Sequence, residues 1–592
     1  MNNETKHFRL FPGIWVVLAI AVIFAARIGW KEAHYPHQIR ELAEKFASLA
    51  IIQTRPVLNH AGTRLGVIHT TEHGVGVFMA DTKTGGEQAL CEVKDLNYNG
   101  RGTALFGWSP DDKTFAFAWN QRLCFWTGDG TKAVDETDDN VELFAWLSPD
   151  SGVCVDDASA LQRWQFDAGH WRQTGAWPLA AGQGLPQALV VLDTNTVAWL
   201  AGKTLWQMNL QTGEKSSIYS GPAAGGSSLS YSQETDEFLL VLNTNRARVS
   251  SLIGVTRSTG VERMIARTRL LVREAQWINK GQGYVCRGAN GDTNMAVARM
   301  DLKSPEKNFF QLGGVEDLVA AEAGACFYAF AALTNEPPGV WKCDLDKGEL
   351  KQVYSPWGTR DLQIHYQPVL TEYAPYAKHS ARYAVVPPVN FSPQKKYPLV
   401  IGLSACQWTP IAYASYAQCL ANCGAYVAFT GLTFGADDAT RLERFHAHTN
   451  NVLAIYNKLT ANPSVDKSRV YLFGFSQNTL ILNDLVKAYP GRWRGIILFN
   501  PGGGSENLPC DASLKRVLAT AGEVESESTR FSEYQTALGK LGVPMEWYVQ
   551  GDSAHFERAQ STLRERTLLM ADMVFEGHAA RIQNHGKSSN NE

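Results

Sequence analysis

The chain has 592 residues, 45% hydrophobic and 19% charged, with a formal net charge of −3. That length exceeds one ordinary domain, and the balance supplies material for more than one packed core. No long basic run is present, which speaks against a nucleic-acid partner or an anionic membrane surface. The 10 cysteines include no C-x-x-C pair, so a zinc site is not expected. Cys419 and Cys423 lie four apart on a predicted helix and read as two buried thiols.

In chain order, the first element is the uncharged run "LFPGIWVVLAIAVIFAA" at 10–26. As a helix it reaches about 26 Å, slightly short of a bilayer core, and the flanking Arg9 and Arg27 extend it by snorkelling. Residues 8–30 are therefore predicted to form a transmembrane helix that anchors the chain, with a cleaved signal sequence as the rival reading. A large C-terminal part after such an anchor is expected outside the cytoplasm. In the segment 31–52, Ile39, Leu42, Phe46 and Leu49 mark one face of an amphipathic helix, expected to pack on the C-terminal domain.

From 53 to 362 the period changes. "NHAGTRLGVIHTTEHGVGVFMADTKTG" (59–85), "SPDDKTFAFAWNQRLCFWTGDG" (109–130) and "SPDSGVCVDDASALQRWQF" (148–166) share one layout: turn, alternating strand, turn, strand. Weaker copies begin near Asp193, Ser232, Asn279 and Glu322, so the starts fall 39 to 50 residues apart. A period of that size with short strands predicts a β-propeller of about seven blades, because one small sheet cannot cover both of its faces and a ring of them can.

Residues 363–577 read differently. Apolar strands such as "KYPLVIGLSA", "AYVAFTGLTFG", "RVYLFGF" and "RGIILFNPGGG" alternate with helical stretches. That alternation predicts a parallel sheet covered on both faces. The polar tail 578–592 is expected to be disordered.

The chemistry gathers in this second half. "RVYLFGFSQNTLILNDLV" (469–486) runs from strand to helix through G-F-S-Q-N, so Ser476 sits where a nucleophile elbow would hold its serine. A serine needs a base, and the base needs an orienting carboxylate. Downstream, "VLATAGEVES" is a strand followed by an acidic run containing Glu523, Glu525 and Glu527, and "WYVQGDSAHF" is a strand followed by His555. The order serine, acid, histidine at strand ends is that of α/β-hydrolases.

Residues 380–577, with "VPPVNFSPQKKYPLVIGLSA", "NPSVDKSRVYLFGFSQN", "GEVE" and "GVPMEWYVQGDSAHF", resemble the catalytic domain of the prolyl oligopeptidase family of serine peptidases. With the propeller ahead of it, the resemblance covers almost all of 35–577. It implies Ser476 as nucleophile, Glu525 as orienting acid and His555 as general base. The acid is Glu525 because the family's acid falls three residues after the glycine. It also implies that the site opens into a cavity between the domains, facing the propeller channel.

The resemblance implies short peptides or acyl-peptides as substrates and no metal or organic cofactor. The chain departs from the family pattern at three places. Glu525 stands where Asp is usual, and Asn478 where the elbow's second glycine is usual. "GLSACQW" (402–408) replaces the usual oxyanion segment, leaving the backbone N–H of Gln477 and a donor at Ser404 or Ala405. The opposing readings are an inert hydrolase fold with the propeller as a binding scaffold, and an esterase acting on small acyl esters. The sequence carries no reading of oligomeric state.

Overall fold

The computed structural model describes residues 41, 42 and 45 and most of 56–575. Among the stretches it leaves aside are 404–409, 431–440, 476–477, 502–513, 523–534 and 551–559. The predicted transmembrane run and the C-terminal tail lie outside the described residues. Among the described residues no helix is long and apolar enough to cross a membrane.

Strands between Val57 and Tyr354 form seven antiparallel blades. By strand pairing the blades span 57–93, 104–140, 141–178, 186–220, 229–268, 271–313 and 315–354. The predicted count of seven is therefore met. The predicted copies are one strand out of phase: each starts at the turn after a blade's innermost strand, as Asn59 does between Val57–Leu58 and Arg64–Thr70. The copies at 59–85 and 109–130 fall in separate sheets. Those at 109–130 and 148–166 fall in consecutive blades that share one strand. Val134–Ser148 pairs through its first half with Arg122–Thr127 and through its second half with Ser151–Asp156.

The ring follows from the two-residue period of a strand, which sends successive side chains to opposite faces. In Glu237–Thr244, Phe238 and Leu240 join the core between blades 4 and 5, while Leu239 and Val241 join the core between blades 5 and 6. Each of the seven seams holds one such cluster. Neighbouring inner strands are also tied by side chains. Ala275 N donates to Ser228 Oγ at 2.8 Å, Trp277 N to Ser230 Oγ at 3.0 Å and Ala320 N to Gln276 Oε1 at 2.7 Å. These bonds satisfy backbone donors that have no further strand to pair with.

The last seam has no exchanged strand. Blade 1 and blade 7 meet through Leu65, Val67, Phe78 and Ala80 against Phe330, Val340 and Tyr354. The Tyr354 hydroxyl also donates to Glu87, whose other oxygen lies 3.3 Å from His69 Nε2.

Inside the ring is a cavity of about 1040 Å³ lined by the inner strands of blades 3 to 7. Its charged wall carries Arg287, whose Nη2 lies 3.5 Å from Glu274 Oε2 and 3.8 Å from Asp317 Oδ1.

The second unit is one eight-stranded sheet. Its elements are β1 (Leu370–Tyr376), β2 (His379–Val386), β3 (Tyr397–Leu403), α1 (Pro410–Asn422), β4 (Tyr426–Thr430), α2 (Arg441–Thr460), β5 (Val465–Phe475), α3 (Asn478–Ala488), β6 (Gly495–Phe499), β7 (Arg516–Gly522), β8 (Met545–Gln550) and α4 (Gln560–Val574). The strand order is β1-β2-β4-β3-β5-β6-β7-β8. Strands β3 to β8 are mutually parallel, and β1 and β2 form an antiparallel edge.

Both faces are covered, as the unbroken apolar runs require. Leu399 and Ile401 of β3 pack under α2 and α3, whereas Val400 packs under α1 and α4. Leu42 from the lead-in helix packs against this second layer, and Lys45 pairs with Glu41 at 3.0 Å on the same helix.

Candidate active site

Ser476 and Gln477 lie outside the described residues, but their neighbours define the local geometry. β5 ends at Phe475 and α3 begins at Asn478. A reversal that short needs the strand and helix backbones close together. Gly474 meets that need: a Cβ there would lie 2.7 Å from Leu482 Cδ1 and 3.1 Å from its Cγ, closer than packed carbons tolerate. Asn478, in place of the second glycine, is buried, as are Thr479 and Asn483 on the same helix. The close approach therefore rests on the first glycine of G-x-S-x-N, and the fold holds a full side chain at the last position.

The remaining predicted site residues, Ser404, Glu525 and His555, also lie outside the described residues. The strands that precede them are described. Ser404 follows β3 by one residue, Ser476 follows β5 by one, Glu525 follows β7 by three and His555 follows β8 by five. These strands are parallel, so their four carboxyl ends lie along one edge of the same sheet. Open α/β sheets bind ligands at that edge.

β7 is two strands from β5, and β8 is three, which at about 4.8 Å per strand is about 10 and 14 Å. A five-residue extension reaches up to about 17 Å.

The floor of this edge is aromatic. Phe473 of β5 meets Phe499 of β6 edge-on at 5.0 Å, and Tyr416 of α1 meets Phe499 at 5.7 Å. Beyond Phe499, Asn500 has a positive φ of 45° and donates its N–H to Thr520 O of β7 at 2.7 Å. Arg566 of α4 reaches the same point. Neither Asn500 nor Arg566 was predicted from the sequence, and a positive-φ asparagine at a strand end gives no pattern to find it by. Cys419 and Cys423 are buried thiols outside any disulfide, as predicted. The hydrogen bond with Cys423 and complete burial push the Cys419 thiol well above its usual range, which leaves it protonated and unreactive. Among the described residues no cluster suited to a metal ion is present.

The sequence matches no family model and no curated protein. Solved structures do match in fold. The chain is similar to the acylaminoacyl peptidase of Pyrococcus horikoshii, with a TM-score of 0.64 at 11% identity over 92% of this chain and 98% of that one. It is similar to a puromycin-hydrolyzing peptidase of Mycobacterium tuberculosis, with a TM-score of 0.62 at 11% identity over 92% of this chain and 97% of that one. A structure from a study of two prolyl endopeptidases matches with a TM-score of 0.61 at 13% identity, over 94% of this chain and 95% of that one. The chain therefore has the fold of these peptidases along nearly its whole length, a seven-bladed β-propeller followed by an α/β-hydrolase domain.

Proposed function

We propose that the chain is a serine peptidase of the prolyl oligopeptidase type that cleaves short peptides or acyl-peptides with Ser476, Glu525 and His555. The observation that carries the reading is the shared edge. Four strands, each followed within five residues by one of Ser404, Ser476, Glu525 and His555, end on the same side of one parallel sheet.

In this mechanism His555 accepts the Ser476 hydroxyl proton as Oγ attacks the scissile carbonyl carbon. The oxyanion that forms is held by the backbone N–H of Gln477 and a donor at Ser404. Glu525 fixes the imidazole tautomer and stabilises the imidazolium. The tetrahedral intermediate collapses, the C–N bond breaks, and His555 returns the proton to the leaving amine. Water, deprotonated by His555, then attacks the acyl-enzyme ester; as the C–Oγ bond breaks, His555 returns that proton to Oγ, which releases the carboxylic acid and restores Ser476.

The neighbouring structures support a peptide substrate class. One acylaminoacyl peptidase structure holds Z-Gly-Gly-Phe-chloromethyl ketone, a peptide-like inhibitor. In this reading the edge opens toward the propeller, whose cavity of about 1040 Å³ suits an unfolded peptide and not a folded protein. The uncharged run at 10–26 acts as the membrane anchor, with the bulk outside the cytoplasm.

A fluorophosphonate probe tests the chemistry. Wild type is expected to be labelled and Ser476→Ala is not. A panel of blocked and free short peptides separates acyl-peptide release from internal cleavage, and small acyl esters test the esterase alternative. Absence of labelling in folded wild type favours the inert scaffold, the reading that Asn478 and the altered "GLSACQW" segment support.

A further inference from the structure

Arg566 is fully buried, in the first half of α4. Removing a guanidinium from water is costly and is retained only where the charge meets suitable partners. Its Cζ lies over the Phe499 ring, 5.1 Å from the centroid, and its Nη2 donates to Asn500 Oδ1 at 3.4 Å. Half-buried Asp572 of the same helix is held at the opposite end of the sheet, where it pairs with Arg516 at 2.9 Å.

The residues that Arg566 touches connect the segments that carry the proposed triad. Phe499 packs on Phe473, three residues before Ser476. Asn500 bonds to Thr520, five residues before Glu525. Arg566 itself follows His555 by eleven residues on the helix that the His555 segment enters.

We propose that Arg566 is a positioning residue for the Ser476, Glu525 and His555 site. Its planar guanidinium lies on one ring and bonds one amide, locking α4 to the end of β6 and so fixing the spacing between the nucleophile, acid and base segments. A flat cation does both tasks at once, which neither an apolar side chain nor a lysine ammonium does. The proposal rests on the triad reading above.

The test compares wild type with Arg566→Met, Arg566→Lys and Asn500→Gly, the last removing the amide without straining a positive-φ backbone. Turnover is measured per site titrated with fluorophosphonate, so that a partly misfolded preparation lowers the titre and not the turnover. Arg566→Met is expected to lower kcat per titrated site 10- to 100-fold with KM changed less than 2-fold. Arg566→Lys should recover part of that loss, and Asn500→Gly should reproduce most of it. The double variant Arg566→Met/Asn500→Gly should be no worse than Arg566→Met alone.

Unchanged kcat per site in folded Arg566→Met overturns the proposal while leaving the triad reading intact. If Arg566→Met does not fold, Asn500→Gly decides alone, and an unchanged kcat there overturns the proposal. Wild type that neither turns over nor labels overturns the triad reading and the positioning role together.

Discussion

A buried propeller strand such as Glu237–Thr244 divides its side chains between two neighbouring blades, whereas β5 of the hydrolase sheet divides its own between two layers of helices. In the ring, that arrangement recurs at seven seams built from similar parts. In the sheet it occurs once, and each strand end carries a different residue. Repetition spreads stability over many equivalent interfaces, and in the proposed mechanism uniqueness concentrates chemistry at one edge. Mutations should accordingly separate the two properties by region.

The largest separation is expected at Ser476→Ala. Hydrolysis should fall by at least about 10³-fold, because triad members act as a unit, while the thermal unfolding midpoint stays at the wild-type value. Parallel rate and melting measurements check this, and a large drop in melting temperature would break the contrast. Next is Phe330→Ala at the seam between blades 1 and 7. It should cost about 3–5 kcal/mol, as buried Phe truncations do, and lower the urea midpoint reported by propeller tryptophans, with hydrolysis at 25 °C retained.

Gly474→Ala tests a place in the sheet where packing meets the proposed chemistry. The added methyl should cost about 1–3 kcal/mol as overpacking and lower activity as well, so denaturation and kinetics move together. The smallest effect is expected for Tyr354→Phe, which removes one hydrogen bond to Glu87 while the ring still packs. A loss of roughly 1 kcal/mol in urea titration, with no change in rate, would sharpen the view that this seam is held mainly by apolar contact.

What the sequence revealed follows the same division. Seven copies of a turn-strand-turn-strand layout gave the blade count, because each noisy copy repeats the signal of the others. The phase was missed because innermost strands such as Pro186–Asp193 precede the turn that marks each copy. The strand at 134–148 was not anticipated, since "VDETDDN" reads as a charged loop, yet it continues pairing from one blade into the next.

In the hydrolase domain, buried runs such as "YPLVIGL" and "GIILF" declared their strands. β1 did not, because it is an edge strand with Pro375 inside it and Leu370 and Tyr373 exposed. The short strand-to-helix junction between Phe475 and Asn478 was legible from the G-F-S-Q-N stretch. Arg566 was not, since an arginine in "STLRERTLLM" looks like a solvated helix face. Once buried it meets Phe499 and Asn500, more than sixty residues earlier in the chain.

The closing seam has a consequence for how the ring is inserted. Blades 1 and 7 are each made from a single unbroken stretch, so the chain enters and leaves the ring at the same junction, near Pro56 and Ser355. Among the described residues no blade borrows a strand from beyond those two points. The propeller is in this sense a cassette: its two leads are neighbours, and ring and sheet can be exchanged or altered in blade number without rewiring either one.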